Sequence, residues 1–193
     1  TEAIPVLSYS DFFNEVLELS ASVSVHCVSY FGYPLENEVH LICCLADDSD
    51  GSINILSWKC LKTGAFVDSL TEKVHSFYNF EREIHENFGI EFQKHPWLKP
   101  LRYPWNRHSH SKNIADYPFF EIDSEELHEV GVGPIHAGII EPGHFRFICN
   151  GEQILHLEIQ LGFQHRGVEH LFLEKKKLNQ RIALSESIAG DTA

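Results

Sequence analysis

Residues 131–170 read GVGPIHAGIIEPGHFRFICNGEQILHLEIQLGFQHRGVEH, and they contain the clearest structural pattern of the chain. Two turn segments, 133–136 and 141–144, precede an apolar run at 145–149. Aromatic and β-branched residues in such a run are typical of a strand. The dipeptide Asn150-Gly151 then predicts a hairpin, because both central residues of a type I′ turn need a positive φ. The return strand is expected at 153–159.

The return strand alternates between apolar and polar residues, so its two faces differ. Ile154, His156 and Glu158 share one face. The other face carries Leu155, Leu157 and Ile159. The chain then enters 162–170, where charged residues and histidines surround two glycines before a helical pattern begins. A hairpin that leads into a polar corner and a helix is more typical of a cleft wall than of a buried core.

The order of these motifs resembles the start of the large subunit of membrane-bound, energy-converting nickel–iron hydrogenases. It is also similar to the 49-kDa, quinone-site subunit of respiratory complex I. The motifs are GPIHAGIIEPGHFRF, the glycine of the Asn-Gly turn, and LGFQHRGVEHL. The resemblance covers roughly residues 129–193 and implies the hairpin and helix start of a hydrogenase large-subunit-like domain, truncated after its N-terminal part.

The resemblance implies four candidate catalytic residues. His136 matches the first histidine of the quinone-pocket loop, where it either donates to a quinone carbonyl or caps its own loop. His144 takes the place of the later histidine of that loop, although the residues between them differ from the family pattern. Glu141 and Glu169 are candidate proton relays if a partly dry cleft raises their pKa; exposed carboxylates are the alternative.

Two further residues, His165 and Arg166, match positions that lie against the iron–sulfur cluster of the adjacent small subunit. A positive charge there favours the reduced cluster and raises its potential. The alternative for both residues is packing and ion pairing with Glu169.

The resemblance also concerns nickel. In the hydrogenases a later motif supplies two cysteines to nickel and iron, since these soft metals need thiolates. The corresponding stretch, 186–192, keeps a Glu and a Gly but has Ala189 and Thr192 at the cysteine positions. We therefore expect no nickel–iron centre and no cofactor on this chain, and an iron–sulfur cluster in the partner subunit.

The N-terminal half predicts a helix at 10–20, with Ser10 as its N-cap, and three strands. The strands are expected at 22–30, 38–46 and 53–58; a Gly-Tyr-Pro segment at 32–34 ends the first, and the second is apolar enough to be central. The acidic stretch 47–51 predicts a hairpin tip. A calcium loop is disfavoured, because the glutamate expected at its twelfth position is missing.

A second helix is predicted at 70–88 from its apolar spacing, with Gly89 placed to end it. Residues 95–105 follow, and their three prolines forbid regular structure. Because this segment also carries two tryptophans and a tyrosine, we expect it to lie against an apolar surface of its own sheet or of a partner.

The segment FEREIHENFGI at 80–90, followed by His95-Pro96, is similar to the signature of the 30-kDa subunit of complex I. This resemblance covers about residues 1–105 and implies a small α/β domain, so that the chain as a whole falls in the α+β class. It also implies a subunit-interface role for five residues: Glu81, Arg82, Glu83, His95 and Pro96.

Together the two resemblances describe 30-kDa-like and 49-kDa-like parts fused in one chain, as in hydrogenases of the formate hydrogenlyase type. The expected boundaries are 1–105, a linker at 106–128, and 129–193. The implied function is that of a large-subunit part, inactive alone, in a complex that couples electron transfer to proton or ion movement. The implied partners are an iron–sulfur small subunit, membrane subunits indirectly, and a quinone. The alternatives are a genuine nickel–iron hydrogenase subunit with unusual ligation and a non-catalytic scaffold.

Composition restricts the binding partners, the cellular location and the cysteine chemistry that the chain can have. The formal net charge of −13 argues against a nucleic-acid-binding face. The sequence shows no apolar run of about 20 residues and no signal-peptide pattern, so it predicts neither a membrane span nor export. The family resemblance implies a cytoplasmic protein, peripheral on the inner face of the membrane. Five cysteines without metal-binding spacing indicate reduced thiols.

Overall fold

The computed structural model describes residues 4–111 and 113–188, which fall into two compact units. The first unit runs to Leu101 and also includes Asn106–Ser111. Residues Arg102–Trp105 belong with the second unit, which takes in the described residues from 113 onward. Helices and sheets are mixed along the chain, which confirms the predicted α+β class.

The first unit is built on a four-stranded sheet with the strand order β1-β4-β3-β2. Its elements in chain order are β1 (Val6–Leu7), α1 (Tyr9–Leu19), β2 (Val25–Leu35), β3 (Glu38–Asp47), β4 (Ser52–Leu61), β5 (Phe66–Asp68), α2 (Tyr78–Phe88) and β6 (Glu91–Gln93). The short β1 runs parallel to β4, whereas β2, β3 and β4 are antiparallel. The predicted central position of β3 is confirmed. The strands β5 and β6 form a separate parallel pair.

The core of this unit lies on one face of the sheet. Phe12 and Val16 of α1 are fully buried there, as are Leu41 of β3 and Ile84 of α2. Burying an aliphatic or aromatic side chain stabilises a fold by roughly 1.5–3 kcal/mol, so the alternation of β3 is a main source of stability. The polar tip of Trp58 is satisfied as well, since its Nε1 donates to the Tyr30 hydroxyl over 2.8 Å.

The boundary predictions for α1 and β2 are wrong. The N-cap of α1 is Ser8, whose Oγ accepts from the Asp11 N–H over 3.1 Å, and Ser10 lies inside the helix. The Gly-Tyr-Pro segment does not end β2, which begins at Val25 and continues to Leu35. Pro34 is tolerated because β2 is an edge strand, where one side of the backbone has no ladder partner.

The helix predicted at 70–88 begins only at Tyr78. The residues before it form two short 3₁₀ turns, Leu70–Glu72 and His75–Phe77, whose apolar side chains are buried and so imitate helical spacing. At its other end the prediction is confirmed, because Gly89 terminates α2 in the left-handed conformation at φ +69°.

The prolines have the expected effect on the segment that follows β6, which forms neither helix nor strand from residue 95 to residue 105. We call residues 95–101 the proline strap. It lies along the first unit, where Leu98 packs on the core and Leu101 is buried. The Lys99 ammonium lies over the Trp97 ring at 4.0 Å from its centroid. The strap therefore covers its own unit.

The second unit contains a three-stranded antiparallel sheet in the order β7-β8-β9. Its elements are β7 (His128–Val132), β8 (His144–Asn150), β9 (Gln153–Gln160), α3 (Val168–Glu174) and α4 (Leu178–Ser185). The predicted hairpin of β8 and β9 is confirmed. The type I′ turn predicted at Asn150-Gly151 is wrong: Asn150 pairs with Gln153, so Gly151 and Glu152 are the central residues, and of these only Gly151 has a positive φ, +56°. The strand β7 was not predicted.

The polar face of β9 points inward in this unit. Glu158 and Gln160 are 3% and 4% exposed, whereas Leu157 is 46% exposed. Residues of the predicted linker cover the polar face. The Phe120 N–H donates to Glu158 Oε2 over 2.8 Å, and Gln160 Nε2 donates to the carbonyl of Ile114 over 2.6 Å.

Among the described residues, no helix has the length and apolar content that a membrane crossing requires.

Candidate functional site

The signature helix α2 carries a fully buried carboxylate, Glu81. Its Oε2 accepts from Ser69 Oγ over 2.5 Å and from the hydroxyl and N–H of Thr71 over 2.6 and 3.2 Å, while Oε1 accepts from the Leu70 N–H over 2.7 Å. Burial raises the pKa of Glu81, and these hydrogen bonds oppose that shift. The carboxylate therefore anchors the 3₁₀ turn that precedes α2.

Arg82, the next residue of α2, holds the proline strap. Its Nε donates to the carbonyl of Lys99 and its Nη2 to the carbonyl of Pro100, each over 2.9 Å. One turn later Glu86 accepts from the Leu101 N–H over 3.3 Å. The planar guanidinium fork suits two neighbouring carbonyls, so the arginine of the motif serves as a clamp.

His95 fixes the start of the strap. Its Nε2 lies 3.2 Å from the carbonyl of Tyr78, and its Nδ1 accepts from the Trp97 N–H over 3.0 Å. Because a carbonyl oxygen can only accept, Nε2 carries the proton and the ring is neutral. Burial lowers the pKa of His95 to about 4, and the positive charge of Arg82 adds to the effect.

The five residues predicted for a subunit interface therefore differ in position. Glu81 and Arg82 are buried in the first unit, and the His95 side chain is shielded from solvent. Glu83 is partly exposed and Pro96 is exposed. Three of the five use their side chains to connect α2, the 3₁₀ turn and the strap.

In the second unit, His136 closes the loop between β7 and β8. Its Nε2 lies 2.7 Å from the carbonyl of Gly143, and its ring packs edge-on against Phe145. The neutral ring therefore has its proton on Nε2 and an acceptor at Nδ1. Gly133, at φ +101°, allows the close approach, since a Cβ there would clash with the carbonyl oxygen of Gly143 and would also lie 2.7 Å from His136 Nε2.

The other two candidates of this loop have different surroundings. His144 begins β8, and its ring packs edge-on against Phe119 at 5.4 Å between centroids. Glu141 is exposed in the loop. His136 and His144 thus pack against different aromatic rings.

The polar corner, residues 162–170, is held by Arg166. Its Nη1 donates to the carbonyls of Ser187 and Ile188, each over 3.2 Å, and its Nη2 to Gln164 Oε1 over 2.8 Å. In the described part of the chain no carboxylate forms an ion pair with Arg166, and the residue is exposed. The guanidinium is therefore a fixed positive charge at the surface.

Glu169 of the same corner pairs with Arg102, not with Arg166. Arg102 Nη1 lies 3.2 and 3.1 Å from the two carboxylate oxygens. No sequence pattern indicated a role for Arg102, because 67 residues separate it from Glu169 and the two residues have no motif in common. His165, the other residue predicted to lie near a cluster, is half-buried. The neighbouring His170 ring packs edge-on against Trp105, with 5.1 Å between the ring centroids.

The described residues do not fit a nickel–iron centre. All five cysteines are free thiols within strands, and Cys149 is the single one in the second unit. Within residues 4–111 and 113–188, no group of three or more His, Cys, Asp or Glu side chains has an arrangement suited to a metal ion. Ala189 and Thr192 lie outside the described residues.

Comparison with known proteins supports the family resemblance of the N-terminal motif region. Residues 9–115 match the family model described as the respiratory-chain NADH dehydrogenase 30 Kd subunit. Hydrogenase-4 component G of Escherichia coli (strain K12) is 30% identical over 139 residues, and formate hydrogenlyase subunit 5 of that organism is 34% identical over 140 residues; each alignment covers 63% of this chain and 25% of the relative. The C/D subunit of NADH-quinone oxidoreductase from Blochmanniella pennsylvanica (strain BPEN) is 27% identical over 165 residues, which are 68% of this chain and 27% of the relative. The chain thus spans about a quarter of the length of these relatives.

Proposed function

The chain belongs to the family of the 30-kDa subunit of respiratory-chain NADH dehydrogenase, and on that premise we propose that it works in a membrane-associated redox complex. In this proposal it is the N-terminal part of a hydrogenase-like large subunit, on the cytoplasmic side of the membrane. It packs against an iron–sulfur small subunit and, through it, connects to membrane subunits. The complex couples electron transfer to proton or ion movement.

The observation that carries this proposal is the fixed charge of Arg166. Three oxygen atoms, from Ser187, Ile188 and Gln164, orient its guanidinium at the surface. Within the described residues no carboxylate compensates that charge. Such a cation next to a partner's cluster stabilises the added electron. The corner would thus tune the electron path without binding the cluster itself.

His136 supports a proton-coupled role in the same complex. Because its Nε2–H is committed to Gly143, the neutral ring offers only Nδ1, an acceptor, to a ligand. A quinol hydroxyl would donate to Nδ1, and the protonated ring would donate from Nδ1 to a quinone carbonyl. Glu141 and Glu169 remain the proposed carboxylates of the proton route, although both are exposed in this chain and Glu169 pairs with Arg102. His144, at the start of β8, is proposed as a further exchange group.

The first experiment is metal analysis of the complex purified through a tag on the full-length protein. We expect a co-purifying small subunit and iron at the stoichiometry of its clusters, without nickel. Nickel near one atom per tagged chain would favour the second candidate, a nickel–iron hydrogenase subunit. This candidate is suggested by the names of the two Escherichia coli relatives, which are components of a hydrogenase and a formate hydrogenlyase. A complex with partners but without cluster iron would leave a scaffold role and contradict the proposal.

A second experiment tests the role of Arg166. We expect Arg166→Gln to lower the midpoint potential of the nearest cluster by on the order of tens of millivolts, measured by redox titration with EPR detection. Arg166→Lys should retain most of the potential because it keeps the charge. Arg181→Gln is the matched control: it removes an equal charge, and Arg181 also donates to a backbone carbonyl, that of Lys175. Equal shifts in the Arg166→Gln and Arg181→Gln complexes would contradict a local effect.

A further inference from the structure

The sheet of the first unit has a second face, opposite its core, that is also apolar. Across β2, β3 and β4 the register places Phe31 beside Ile42 in one row and Cys44 beside Ile55 in the next. Ile53 follows beside Ala46 in a third row. We call these rows the outer sheet face.

The helices of the first unit leave the outer sheet face uncovered, because α1 and α2 bury their apolar residues on the opposite side, with Leu41 and Trp58. Phe31 is 43% exposed, Ile55 41% and Ile53 60%. Contiguous exposed apolar surface of this kind is uncommon on proteins that work alone, and it marks interaction sites. One position in each row is polar, namely Ser57, Ser29 and His26, and the other two are apolar, which is more apolar surface than the solvent side of an antiparallel sheet usually has.

The charge around this face indicates what covers it. Between residues 25 and 62 the sequence has five acidic residues and two basic ones, Lys59 and Lys62. Lys59 Nζ lies 2.9 Å from Glu38 Oε2, so that its charge is neutralised. At the other end of the sheet the β3–β4 turn exposes Asp48 and Asp50. The apolar rows are therefore bordered by net negative charge.

We propose that the outer sheet face docks on another protein subunit of the complex, at an apolar patch bordered by Lys or Arg residues. A second copy of this chain would bring two acidic turns and two net charges of −13 together. An anionic lipid surface would be repelled in the same way. Addition of a strand to the free edge of β2 is disfavoured by the bulge at Cys27/Ser29 and by Pro34. This inference rests on the proposed function, since it takes the partner from the same complex.

The test uses photo-crosslinking in the full-length protein within its purified complex. A benzophenone amino acid replaces Ile55 on the outer sheet face and, as a control, Phe66 on β5, which is 78% exposed. We expect position 55 to give an adduct with another subunit, at a peptide whose apolar residues lie within a few positions of Lys or Arg. Position 66 should not give that adduct.

A charge test complements the crosslink. Ile55→Lys and Ile55→Glu both remove apolar contact, but only the lysine is repelled by a basic border. We expect Ile55→Lys to reduce recovery of the crosslinked subunit at least tenfold, Ile55→Glu to reduce it less, and Phe66→Lys to leave it unchanged. Equal or reversed losses for the two Ile55 variants would overturn the inference.

The outcomes separate this inference from the proposed function. An assembled complex in which position 55 crosslinks to its own chain, to a second copy, to lipid or to nothing overturns the inference alone. A tagged chain that purifies without any other subunit overturns the proposed function, and the inference fails with it.

Discussion

The carboxylate of Glu81 and the imidazole of His95 lie 3.9 Å apart, and both side chains are completely shielded from solvent. His95 Nε2 donates to the carbonyl of Tyr78, and the carboxylate is occupied by the turn before α2. The pair thus joins the 3₁₀ turn, α2 and the proline strap at one buried point. Its protonation should control the stability of the first unit.

We expect the first unit to lose stability as the pH falls from about 6.5 toward 4. His95 has a folded pKa of about 4, below the value near 6.5 in the unfolded chain, so protons bind the unfolded state first. Stability from this group is complete above pH 6.5, and its loss amounts to roughly 3 kcal/mol at most. Urea unfolding at several pH values, followed by tryptophan fluorescence to which buried Trp58 contributes, measures it.

Glu81 contributes in the opposite direction. Its folded pKa is raised, so its contribution is present below the unfolded value and is lost as the pH rises. Comparison with His95→Gln, which keeps a donor and an acceptor but does not titrate, isolates the histidine. An equal pH dependence in wild type and His95→Gln would contradict the assignment.

Removal of the buried carboxylate should be costly. We expect Glu81→Ala to destabilise the first unit by about 3–5 kcal/mol, because the donors of Ser69, Leu70 and Thr71 lose their acceptor inside the protein. Chemical denaturation measures the change. Glu15→Ala, at an exposed position of α1, serves as the control and should shift stability by less than about 0.5 kcal/mol.

The clamp of Arg82 on the proline strap should depend on its planar fork. We expect Arg82→Lys to cost about 1–3 kcal/mol, since a lysine cannot reach the carbonyls of Lys99 and Pro100 with the same geometry. Hydrogen exchange at the Leu101 amide should accelerate. Arg181→Lys is the control, since it makes the same replacement on exposed α4. We expect the hydrogen exchange rate of the Leu101 amide to be unchanged in that variant. A strap equally protected in Arg82→Lys would show that the clamp is dispensable.

The loop of His136 should tolerate alanine at Gly138 but not at Gly133. Both glycines have a positive φ, so both replacements cost about 1–2 kcal/mol in backbone strain. At Gly133 the added Cβ also clashes with the carbonyl oxygen of Gly143, the partner of His136 Nε2, and lies 2.7 Å from Nε2 itself, whereas nothing lies within 4 Å at Gly138. We expect Gly133→Ala to shift the His136 ring resonances in NMR spectra and Gly138→Ala to leave them in place. Similar spectra for both variants would contradict the close packing.

Several elements follow from local sequence patterns. The nearly continuous apolar run of β3 predicts a central strand, and the Asn-Gly dipeptide predicts the hairpin of β8 and β9. Gly89 predicts the end of α2, because a residue without a side chain enters the left-handed conformation at least cost. These features depend on a few neighbouring residues, and the motifs that carry the family resemblance are equally local.

Other features depend on contacts between distant residues, and no local pattern shows them. Helical spacing extends back to Leu70, but Glu81 captures the amide groups there and the helix starts later. The polar face of β9 points inward because the linker offers Glu158 a backbone donor from 38 residues away. Arg102 and Glu169 meet in the same way. Side-chain periodicity specifies which faces of an element differ, whereas long-range hydrogen bonds and packing select the face that is buried and the residues that pair.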